Sequence, residues 1–190
     1  MLGSALSFVA QRLNADLQRR FGTKRDLLVL APLVANDGTP TSTVQNAVVL
    51  TMTNVSQETV IRNRKVSTLE GDSVIRARPP TEVNLHVMFS AGLKNYIEGL
   101  SLLSEVIARL KDVSVFDSAS SPGLPEGLQR LAFSMLNLTY AEQSHLWGGL
   151  GAKYVPSVLY EVRMIGLGGQ QLDAIVPAIA SANVSGRALV

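Results

Sequence analysis

The 190-residue chain has no cysteine, one tryptophan, two histidines and no apolar run of about 18 residues. Without thiols, disulfides and thiolate nucleophiles are excluded, and a zinc site would have to be assembled from two histidines and carboxylates. Met1 to Asn14 lacks the basic start, apolar core and small-residue cleavage site of a signal peptide, so the expectation is synthesis in the cytoplasm with no membrane insertion. Charge is also sparse, at 17%, against 46% hydrophobic residues, which suits one compact domain with a sizeable core. No internal repeat or low-complexity segment is visible.

The densest stretch is Ala141 to Ile165, AEQSHLWGGLGAKYVPSVLYEVRMI, with Trp147 and His145. Ala141 to Trp147 reads as a short helix that Gly148, Gly149 and Gly151 end, because glycine enters left-handed backbone angles at little cost. Thr139 and Glu142 have the spacing of a capping box, which explains Glu142 without catalysis. From Val155 the period changes to two, with Val158, Tyr160, Val162 and Met164 on one face of a strand that Pro156 can only precede or edge.

In chain order, Leu2, Leu6, Val9, Leu13, Leu17 and Phe21 form the stripe of an amphipathic helix closed by Gly22, with Asp16 and Arg20 on its outside. Leu27 to Val34 and Ala47 to Val55 read as strands able to pair directly, separated by the turn formers Asn36 to Pro40. Val83, Leu85, Val87 and Phe89 alternate cleanly with a more polar face that carries His86. A helix follows on Tyr96, Leu100, Leu103, Ile107 and Leu110, with Glu105 and Arg109 paired outside. Short strands at Val113 to Phe116 and Leu131 to Leu138 flank an exposed loop, Ser118 to Gly127. Adjacent strands with helices between only some of them predict a mixed or antiparallel sheet: a single α/β (α+β) domain over residues 1–167, in two or partly three layers.

Between Arg62 and Arg78, five cations (Arg62, Arg64, Lys65, Arg76, Arg78) face two anions (Glu70, Asp72), a net +3 that exceeds the +2 of the whole chain. This stretch reads as a flexible basic loop suited to phosphates or an acidic protein surface. No aromatic is interleaved for base stacking, so a nucleic-acid or small-ligand binding module working through residues 62–78 is the alternative reading. Past the glycines at 166, 168 and 169, which read as a hinge, residues 168–190 carry only Asp173 and Arg187 among Ile175, Val176, Ile179 and other apolar or small residues. They read as an arm that packs on another subunit. Catalytic groups are few. Ser144 and His145 are neighbours that a helix points about 100° apart, and no partner for His86 follows at metal-binding spacing, so neither enzyme chemistry nor a cofactor or metal site is expected.

The wording of one segment, Glu142-Gln143-Ser144-His145-Leu146-Trp147-Gly148-Gly149-Leu150-Gly151-Ala152-Lys153-Tyr154 followed by Pro156 to Tyr160, resembles the cap, or tail-terminator, proteins of phage-tail-like contractile injection systems. Pro79-Pro80 leading into Val83-Asn84-Leu85 and Phe89-Ser90, and Asn95-Tyr96 opening a helix with Leu102-Leu103-Ser104, extend the resemblance over most of the chain. It implies a tail-terminator-like fold and a structural, non-enzymatic cap. Such a cap ends the inner tube, joins the last sheath layer and works as a six-fold ring with tube and sheath as partners. Cytoplasmic assembly into a particle open to release from the cell is implied by the same resemblance. Arg62, Arg64, Lys65, Arg76, Arg78, His145, Trp147, Lys153, Ile175 and Ile179 are the expected protein-interface residues in that setting, and open strand edges would suit addition of an extended sheath segment.

Overall fold

The first helix, α1 (Leu2–Phe21), forms where the sequence places its apolar stripe, and it buries Leu6, Val9, Leu13 and Leu17 while Phe21 stays largely exposed. Gly22 ends it in the left-handed region at φ 62°, its N–H donating to the Gln18 carbonyl. Asp16 pairs with Arg19 rather than with Arg20, which instead reaches Glu105 at 3.8 Å. The structure is a computed structural model and describes residues 1–35, 37–57, 66–70, 73–77, 82–166 and 172–177.

Strand β1 (Leu28–Leu30) follows, started by Asn14, whose Oδ1 accepts from the Leu27 and Leu28 N–H groups at 2.8 and 3.1 Å. It pairs with β2 (Val48–Gln57) as the sequence suggests, and the pairing is parallel. Next come a hairpin, β3 (Val66–Glu70) and β4 (Ser73–Ala77), then β5 (Glu82–Ala91), α2 (Tyr96–Asp112), β6 (Val115–Asp117) and β7 (Leu128–Leu136). The described chain closes with α3 (Tyr140–Leu150), β8 (Ser157–Gly166) and β9 (Leu172–Pro177). A mixed sheet runs in the order β1-β2-β5-β8-β7-β6, antiparallel except at β1. A second sheet, β3-β4-β9, repeats the order of the large-sheet strands next to each in the chain, β2, β5 and β8.

The two faces of the large sheet carry different cores. On one, α1 and α2 cover Val48, Leu50, Leu85, Val87, Phe89, Val162 and Met164. A line of edge-to-face rings, Phe8, Phe116, Phe133, Tyr160 and Phe89, crosses this core with centroids 5.8 to 6.2 Å apart. Each such pair adds about 0.5–1.5 kcal/mol beyond its buried area. Burial also raises the Tyr160 hydroxyl pKa above its ordinary value. On the opposite face Val49, Met88 and Leu159 meet Leu33 and Trp147, so α3 makes the third layer over one end of the sheet only. Along α2 the buried stripe is Gly99, Leu102, Leu103, Val106 and Leu110: Leu103 and Leu110 are buried as the spacing predicts, Leu100 and Ile107 are half-buried, and Tyr96 is exposed. Glu105 and Arg109 pair at 3.1 Å as the spacing predicts. No described helix is long and apolar enough to cross a membrane.

Candidate interaction surfaces

Helix α3 is built as the sequence implies at its start and differently at its end. The Thr139 hydroxyl accepts from the Glu142 N–H, and the Glu142 carboxylate accepts from the Thr139 N–H at 2.8 Å, a reciprocal capping box. Those bonds, first from the Thr139 backbone and then from its hydroxyl, hold the Glu142 pKa below the usual carboxylate value. Gly148 and Gly149 do not stop the helix. Both lie inside it, and Gly151 alone provides the left-handed end, at φ 64°. An added Cβ at Gly148 or Gly149 would meet open space, so neither glycine is required by this subunit's packing.

Trp147 is the only fully buried side chain of α3, 5% exposed, with its ring edge-on to Tyr154 at 5.5 Å. It is a core anchor within the chain. Its buried Nε1–H has no hydrogen-bond acceptor. His145 and Lys153, beside it in sequence, are exposed and available to a partner. A cleft of about 250 Å³ opens between α3 and the ends of β7 and β8, lined by Met88, Met135, Leu138, Leu146, Trp147 and Leu159 among others. Tyr140, 91% exposed, stands at the start of the same helix.

The basic stretch is not a simple flexible loop. Residues 66–70 and 73–77 pair as the β3–β4 hairpin, with Arg76 opposite Ser67 on one side and Ala174 on the other. Arg62, Arg64, Lys65 and Arg78 lie outside the described residues, as does Ile179. The expected arm likewise begins as structure: Ile175 sits in β9 opposite Ile75, so the chain past β8 first adds a third strand to the hairpin. Gly166 is the last residue of β8, not part of a free hinge, and it pairs with Leu128.

Asp117 and His86, two polar groups that could have carried chemistry, are engaged within the chain. Asp117 accepts from the Ser120 hydroxyl at 2.7 Å and from the Ser120 and Ala119 N–H groups, and these bonds, the hydroxyl's first, lower its pKa. His86 faces Glu161 across the β5–β8 ladder at 3.9 Å. Among the described residues no three His, Asp or Glu side chains cluster as a metal site would require. Periodicity alone gave no sign of the cleft or of the outer edge of β2. Both arise where elements of unequal length meet, and residue patterns within single elements do not encode that mismatch.

The arrangement is therefore one of surfaces, and comparison with known proteins agrees with it. The family model described as Pvc16 N-terminal domain matches residues 6–181. No curated protein sequence matches significantly. Among solved structures, the fold is similar to the PVC sheath/tube terminator of an extracellular contractile injection system in its extended state. The TM-score is 0.57 at 13% identity, over 95% of this chain and 64% of that one. It is also similar to the tube-terminating cap of the anti-feeding prophage, with a TM-score of 0.56 at 9% identity, over 90% of this chain and 58% of the other. The chain thus spans about three-fifths of the length of the solved chains it resembles.

Proposed function

The chain belongs to the Pvc16 N-terminal domain family, and from that premise we propose that it is a structural sheath/tube terminator, the cap at the end of a contractile injection particle. The observation that carries this reading is the family match across residues 6–181, on a fold shared with two solved terminator caps. The carboxylates of Asp117 and Glu142, tied up in turn and capping hydrogen bonds, suit a scaffold. Tube and sheath subunits are its partners, and six copies form the ring. It assembles in the cytoplasm as part of a particle that the cell releases.

In that setting the exposed His145 and Lys153, the cationic residues 62–78 and the C-terminal residues 168–190 provide contacts, while Trp147 holds α3 to the sheet so that its outer face is presented rigidly. The test is assembly in cells that make tube and sheath with and without this chain. Electron microscopy is expected to show particles of uniform length bearing a six-fold density at one end only when the chain is present. Particles of normal length and intact ends in its absence would overturn the reading.

A further inference from the structure

Strand β2 outruns its outer neighbour. β1 pairs only with Val48 to Leu50, because beyond Leu30 the chain turns off: the Ala31 N–H donates to the Leu50 carbonyl at 3.2 Å, the Thr51 hydroxyl donates to the Ala31 carbonyl at 2.7 Å, and Leu33 enters the core beside Trp147. From Met52 to Gln57, β2 is paired to β5 on one side and to no described strand on the other. Edges are normally protected by brevity, charge or proline. The end strands β1 and β6 are three residues long, but this overhang reads Met-Thr-Asn-Val-Ser-Gln, with neither charge nor proline. Met52 and Val55 are 40% and 41% exposed. A register shift between Met52 and Asn54 bends the edge, yet the ladder to β5 continues to Gln57.

The same chain contains a stretch of matching composition. Ala174 to Gly186 carries no charge, and Ala178 to Gly186 follows β9. β9 begins with Leu172 opposite Ala77 and ends with Pro177 opposite Ser73, next to the two residues that join β3 to β4. The chain therefore leaves this sheet at its hairpin end, remote from the end where β4 leads into β5. An extended stretch of nine residues covers roughly 30 Å, more than the roughly 20 Å of open edge. We propose that residues 178–186 of one copy add as an extra strand to the Met52–Gln57 edge of a second copy, a head-to-tail contact that joins successive subunits of the ring. This rests on the ring of the proposed function but not on what the ring terminates.

The experiment uses the full chain throughout. Self-association is followed by sedimentation for the wild type, Val55→Lys and Val55→Thr, with a synthetic peptide of residues 178–190 as competitor, and amide exchange is read over residues 52–57 in dilute and concentrated samples. The expected result is association weakened on the order of tenfold by Val55→Lys and little by Val55→Thr, dissociation by excess peptide, and slower exchange over 52–57 on association. Folding of each variant is checked by its melting curve. A chain that stays monomeric at every concentration overturns the proposal. So does association that Val55→Lys or the peptide leaves unchanged, although particle incorporation would then still support the terminator reading. Loss of association in Val55→Lys without competition by the peptide overturns it too, since a different segment then occupies the edge.

Discussion

Trp147 and Glu142 sit five residues apart and do unlike work. Removing the Trp147 side chain leaves a cavity between Met88, Val49 and Leu159, so Trp147→Ala is expected to cost about 3 to 5 kcal/mol in denaturant unfolding. Because its buried Nε1–H has no acceptor, Trp147→Phe removes no hydrogen bond and is expected to cost distinctly less than the alanine change. Equal losses in the two variants would show that the indole nitrogen is engaged. Glu142 has a folded-state pKa below its unfolded one. Its contribution is therefore complete above the unfolded value and is lost as pH falls through the folded value. Glu142→Gln keeps an acceptor for the Thr139 N–H but cannot titrate. Its stability is expected to fall less steeply than the wild type's below about pH 4.3, as urea unfolding across that range can read. Both residues were legible in the sequence, Glu142 from the Thr-x-x-Glu spacing and Trp147 as the largest side chain of the motif. As the largest side chain beside the glycines, Trp147 reads from the sequence both as a buried anchor and as an interface candidate, and its burial against Val49, Met88 and Leu159 favours the anchor.

At the scale of elements, α3 is the instructive case. A run of Gly-Gly-x-Gly reads as a stop, yet only Gly151 has a positive φ, and Gly148 and Gly149 hold ordinary helical angles with open space beside them. Gly148→Ala and Gly149→Ala are thus each expected to stabilise the chain by about 0.5 to 1 kcal/mol, whereas Gly151→Ala forces a side chain into the left-handed region and costs about 1 kcal/mol. Thermal melting of the three variants separates the signs. Stripes on α1, β5 and β8 were readable because one face of each meets the larger core continuously, while Met88 and Leu159 alone among the fully buried residues of β5 and β8 belong to the smaller core. On α2 the stripe was readable in part: Leu103 and Leu110 are buried as the spacing predicts, while Tyr96 fits the helical spacing but is exposed.

For the whole molecule, the two sheets should separate experimentally. In chain order the last strand of the large sheet is β8, with Gly166 paired to Leu128, and the sheet contains no described residue beyond it. A chain ending at Gly169 is expected to keep both cores and a near-normal melting transition. It loses β9, and a lone two-stranded hairpin is marginal in water, so amides of β3 and β4 should exchange faster. Collapse of the melting transition would instead make β9 part of the main fold. The same shortened chain lacks residues 178–190 and should not self-associate.

Local periods and caps fixed much in advance: three helices near their true bounds, the strands of the large sheet, its largely antiparallel character and the capping box, because each depends on side chains a few residues apart. Hairpin β3–β4 and strand β9 were missed. Their residues carry weak alternation among charges and small side chains, and although β3 and β4 pair locally, β9 joins them from about 100 residues away. Only the tertiary structure brought β1 parallel to β2, packed Leu33 with Trp147 and so left six uncharged residues of β2 with no described strand on their outer side. A strand's own sequence specifies which way its side chains face. Whether its backbone groups are already paired is set by the length and exit of the strand beside it.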